Sequence, residues 1–134
     1  MREYNLSHAV STFSTYGSAL NSLWGLYIVA TFAAAGFGAS MKEQFNTGTA
    51  SLLTIAFLAF TAAHLAALMA NLRVQKAIAA EVLKRLGDAE TTDFPATVGA
   101  VVGRTPSRGA MLAVHLIIDA CVIAVIWASV SKGI

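Results

Sequence analysis

Charge is scarce in this chain, and the scarcity is organised. Asp, Glu, Lys and Arg make up only 12% of the residues against 57% hydrophobic, and the mean hydropathy of +0.67 is far from that of a soluble globular domain. Nothing ionic at neutral pH lies between Glu3 and Lys42 or between Glu43 and Arg73, and Asp119 alone interrupts the stretch from Arg108 to Lys132. Cysteine is nearly missing. With Cys121 alone no intramolecular disulfide can form, and its place inside an apolar run predicts a packed, inert thiol. The two prolines, Pro95 and Pro106, fall together in one late connection, so no such helix breaker precedes them. There is also no nucleotide-binding loop, no tandem repeat and no basic-aromatic surface, which excludes nucleic acid as a partner. No activated nucleophile or matched acid and base lies outside the apolar runs, so an enzyme is not expected.

The charge-free stretches themselves define the expected architecture, an all-α integral membrane protein with three transmembrane helices in a single domain of 134 residues. The expected parts are a helical lead-in over 1–19, spans at 20–40, 49–72 and 109–130, and a helix-and-loop connection over 73–108. Each span reaches the ~20 residues that crossing a bilayer requires. Lys42–Gly48 reads as a tight turn. A cleaved signal peptide is not expected, because Glu3 sits beside Arg2 and the apolar run is too long.

Orientation follows from Lys and Arg. Six of the nine (Arg73, Lys76, Lys84, Arg85, Arg104 and Arg108) fall in the 73–108 connection. Basic residues accumulate on the cytoplasmic side. This predicts an inner-membrane protein with a cytoplasmic N-terminus, a periplasmic C-terminus and a second helix that extends into the cytoplasm, where its charges mark a solvated helix end or, as the lesser alternative, face anionic lipid or a partner. Asn5 or Ser7 is expected to cap the first helix, Gly87 to cap the second, and Thr105-Pro106-Ser107 to open the third span with Pro in its first turn. Asp88–Arg104 reads as loop.

Asp119 is the most informative residue. It lies near the middle of the third span, where an ionisable side chain is costly and normally has a function or a buried partner. His115, one turn earlier on the same face, is its expected partner. Thr54, Thr61, His64 and Asn71 give the second span a polar side that should face protein or water. Counted from the ends of their helices, His64 and His115 lie at similar depth, roughly 12 and 9 Å in. The expected site is therefore a cluster of Asp119, His115 and His64 with Thr61 and Asn71, to which Asn21, Tyr27 or Thr31 could add hydrogen bonds. Trp24, Tyr27 and Trp127 otherwise read as packing or headgroup-level aromatics, and His8 as an exposed residue.

Several functions fit such a cluster. The first is an ion- or proton-conducting channel or transporter-like homo-oligomer, in which a ring of Asp119 side chains would select cations. The second is an accessory or anchor subunit of a larger membrane complex, with the cluster either a structural knot or a haem b site held by His64 and His115. A His115/Asp119 metal site and a membrane-permeabilising effector are lesser alternatives. The spacing of Arg108 and His115 also resembles the Arg–His motif of HEPN ribonucleases, with nothing else of that soluble fold present. Oligomerisation is expected because three helices enclose little interior. The expected packing face is a stripe of small residues on the first helix, Ser11, Ser14, Ser18, Ser22, Gly25 and Gly36.

Overall fold

A computed structural model describes residues 6–40, 46–88 and 96–130. The elements are α1 (Leu6–Ser40), α2 (Thr47–Asp88), α3 (Ala96–Gly103) and α4 (Arg108–Val130). The described residues contain no strand, and α1, α2 and α4 are each long and apolar enough to cross a membrane. The expected lead-in is continuous with the first span as one helix of 35 residues, and α2 runs unbroken past Leu72 for 42 residues in all. At 1.5 Å per residue these are about 52 and 63 Å long, well beyond the ~30 Å of a hydrocarbon core. Both therefore project beyond α4 at the end where Arg73, Lys76, Arg104 and Arg108 gather, hereafter the basic end.

Helix boundaries depart from expectation in five places. α2 starts at Thr47 because the Asn46 carboxamide oxygen accepts from the Thr49 backbone N–H at 2.9 Å, so the turn cannot extend to Gly48. Asn46→Ala is expected to cost about 1 kcal/mol and fray the first turn of α2, read as faster amide exchange there. Ser107, not the Thr-Pro pair, caps α4: its hydroxyl accepts from the Ala110 N–H at 3.1 Å, and Pro106 precedes the cap. Gly87 lies inside α2, and no glycine among the described residues has positive φ, so it does not terminate the helix. Ser7 lies within α1, while Asn5 is outside the described residues. Lastly, the stretch read as loop contains α3, whose Val98 and Val102 pack on Ala9, Ala79 and Val82.

α1 and α2 pair antiparallel along a seam with coiled-coil spacing. On α1, Phe13, Tyr16, Leu20, Leu23, Tyr27 and Ala34 recede from the surface, and on α2 the series Phe57, Thr61, His64, Leu68, Asn71, Gln75 recedes at steps of four and three. That alternation averages 3.5 residues and keeps one face of each helix on its partner. α4 packs against both through a single stripe, Met111, His115, Asp119, Val122 and Ile126.

The interior is layered. Nearest the basic end Ala9, Ala79, Val82 and Val102 form one apolar layer, followed by Leu20, Leu68, Leu72 and Met111. At the far end Ala34, Ala50, Phe57, Val122 and Ile126 form another. Between these apolar layers lies a polar one. The outside is the reverse of a soluble protein's, with Phe32, Val29, Leu52 and Ile117 at 75, 66, 70 and 63% exposure. Such a surface needs lipid or another apolar partner. Cys121 is on it too: the thiol is exposed on the outer side of α4, contrary to the packed position expected.

Candidate functional site

The polar layer brings together Tyr27 of α1, Thr61 and His64 of α2, and His115 and Asp119 of α4, all at most 8% exposed. Tyr27 reaches this layer because it lies one heptad beyond Leu20 on the buried face of α1. His115 and Asp119 share a face because they are one turn apart.

Asp119 is tied to Tyr27, not to His115. The Tyr27 hydroxyl donates to Asp119 Oδ1 at 2.7 Å, and the His115 backbone carbonyl is a second acceptor for the same proton at 3.1 Å. Each imidazole donates instead to a backbone carbonyl on another helix: His64 Nε2–H to Leu23 O at 2.9 Å and His115 Nε2–H to Thr61 O at 3.3 Å. A carbonyl can only accept, so Nε2 carries the proton in each ring, and in the neutral tautomer Nδ1 is left as an acceptor. Both Nδ1 atoms are buried and have no protein partner.

The rings are closely assembled. Tyr27 stacks on His64 with centroids 5.1 Å apart and lies 4.1 Å from His115, while the two imidazoles are 5.4 Å apart. Phe60 covers His64 on another side at 5.8 Å, and Trp24 meets both Tyr27 and His115 edge-on. This triangle does not fit a haem held by His64 and His115. A bis-imidazole haem puts iron about 2 Å from one nitrogen of each ring with the macrocycle between them. Here both Nε2 atoms are engaged with backbone, and Tyr27 packs against both rings. Among the described residues no group of three or more His, Cys, Asp or Glu side chains is placed to hold a metal ion.

The remaining expected residues divide. Thr61 supplies its backbone carbonyl to His115, while its hydroxyl bonds the Leu58 carbonyl of its own helix. Thr31 is buried with its hydroxyl on the Ile28 carbonyl, and Asn21 is exposed. Thr54 accepts from Trp127 Nε1 at 3.2 Å, away from the cluster. Asn71 lies two turns from His64, about 10 Å along the axis, and its side-chain oxygen is buried without a partner. Gln75, one turn further, has the same deficiency and was not singled out by sequence. Its signal was available: it continues the series Thr61, His64, Asn71 on one helical face.

Ser11, Ser14, Ser18, Ser22, Gly25 and Gly36 all lie exposed on the outer side of α1. Apart from Ser14, which borders the groove between α1 and α3, the stripe is open within one copy. Ser22 bonds the Ser18 carbonyl and neighbouring Thr15 bonds the Ser11 carbonyl, so these hydroxyls are satisfied within their own helix and can face an apolar neighbour.

Compared with protein-family models, curated proteins and solved structures, the chain gives no match.

Proposed function

We propose that this chain is a three-span inner-membrane protein that takes up protons at the Tyr27–Asp119–His115–His64 cluster and acts as a channel- or transporter-like assembly of several copies. The observation that carries this reading is the pair of buried Nδ1 atoms, on His64 and His115, that no protein donor satisfies beside a buried carboxyl group. An unsatisfied buried acceptor costs about 1–3 kcal/mol, so each Nδ1 calls for a proton or a bound water. A group that accepts a proton during function explains them. Imidazole and carboxyl are the side chains suited to changing charge inside a membrane. By the distribution of Lys and Arg, the basic end is cytoplasmic.

The cluster faces the interior of its own bundle, so each copy would carry its own site in place of one shared ring of Asp119. The test is proton flux into liposomes containing the purified protein under an imposed pH difference. Flux above that of empty liposomes is expected, and its absence overturns the reading.

The apolar layers on both sides of the cluster favour a second reading, an accessory or anchor subunit of a larger complex whose three helices the cluster holds together. A lack of flux together with larger co-purifying subunits would establish it. Under the first reading the exposed small-residue stripe joins copies. Gly25→Leu, which places a bulky side chain where nothing lies within 4 Å in one copy, is then expected to reduce the oligomer mass in native mass spectrometry while leaving helicity unchanged.

A further inference from the structure

The buried acceptors without a partner are distributed unevenly. From the cluster towards the basic end they are the Nδ1 atoms of His115 and His64, then Asn71 Oδ1, then Gln75 Oε1. Asn71 and Gln75 continue the face of α2 that carries His64, about 10 and 16 Å along the axis. Opposite Gln75 stands Gly17, where even a Cβ would come within 3.3 Å of Gln75 Nε2. Between the cluster and the far end no buried side-chain acceptor among the described residues lacks a partner. That half is filled by Phe57, Val122 and Ile126.

We infer that the α1–α2 seam is a one-sided proton inlet, in which water seated on Asn71 and Gln75 links the basic end to His64 and His115. The inference rests on the proton-uptake reading above and adds the side of access. A buried water needs two to four polar partners, and acceptors without donors are what it can satisfy. Leu68, fully buried between His64 and Asn71 on the same face, makes the dry step that must open for a proton to pass. In that step a hydronium gives its proton to an imidazole Nδ1 and becomes water, while Nε2–H stays on its backbone carbonyl; the reverse transfer returns it. The titratable groups facing the cluster are Tyr27 from α1, His64 from α2, and His115 and Asp119 from α4. Arg73 and Lys76 of α2 and Arg108 of α4 stand near the mouth.

The test is a stopped-flow pH jump on the purified full chain, followed by the infrared bands of its histidine rings and carboxyl groups. Asn71→Leu and Gln75→Leu are expected to slow the response about tenfold to a hundredfold, the effect of removing a hydrogen bond to a moving charge, with its final amplitude unchanged. Asn71→Ser, which keeps a hydroxyl without bulk, should stay near the wild-type rate, and Thr54→Val at the far end should have no effect. Circular dichroism identifies any variant that fails to fold, in which case Asn71→Val and Gln75→Met, which remove the acceptor with less change of volume, replace the leucine variants and are expected to slow the response in the same way. Wild-type rates in both leucine variants, or equal slowing by Thr54→Val, would overturn the inlet while leaving proton uptake standing. A wild-type protein that gives no response at any rate removes the uptake reading and the inlet with it.

Discussion

Liposomes carrying Asp119→Asn are expected to show no proton flux beyond that of empty liposomes, a loss of about a hundredfold or more, while the variant purifies with wild-type mass and helicity. Asparagine preserves the shape of the side chain, and its amide oxygen can still accept the Tyr27 hydroxyl proton at the position now held by Asp119 Oδ1. The tie between α1 and α4 therefore survives, and only the capacity to change charge is lost. Persistent flux in Asp119→Asn would remove Asp119 from the pathway. Loss of assembly instead would mean that the carboxyl group is needed for the bundle itself, as the anchor reading holds.

Tyr27→Phe should have the largest effect on stability. It deletes the donor to Asp119 and to the His115 carbonyl at once, leaving buried Asp119 without the one side-chain donor it has among the described residues. The expected loss is about 1–3 kcal/mol, measured by reversible unfolding in mixed micelles. The companion variant Asp119→Leu, made in the Tyr27→Phe background, should recover part of that loss, because removing both members of a buried polar pair is less harmful than removing one. A double-mutant cycle is expected to give a coupling of about 0.5–3 kcal/mol. A cycle with no coupling would mean that the 2.7 Å contact contributes nothing to holding α4 against α1.

The three long apolar helices were legible in the sequence because charge is nearly absent from their apolar runs, so the gaps before Lys42 and Arg73 and the isolation of Asp119 marked them directly. The matched level of His64 and His115 was also legible, since counting inward from the charges that bound their apolar runs, Arg73 and Arg108, gives nine and seven residues. What could not be read was rotation. Asp119 and His115 are one turn apart and were expected to pair, yet the helix turns both towards its neighbours, where Tyr27 and Thr61 take their hydrogen bonds. Tyr27 was one of several hydroxyl and amide candidates, and only the packing of α1 selects it over Asn21 and Thr31. α3 was missed because eight residues containing two glycines carry too little periodicity to register as a helix, although its valines cover the α1–α2 pair. Cys121 shows the same limit: an apolar run gives depth but not which side of the helix faces out.

The unbroken α1–α2 seam also has a mechanical meaning. Neither long helix contains a proline, and the same spacing of buried residues runs from the layer at Ala9 and Val82 to the one at Ala34 and Ala50. A kink normally needs proline, a Gly/Ser pair or a local break in the helical ladder, and α1 has one such pair, Gly17-Ser18, with Gly17 against Gln75 of α2. That is where two long helices without proline would bend first, between the layer covered by α3 and the polar layer that holds Tyr27.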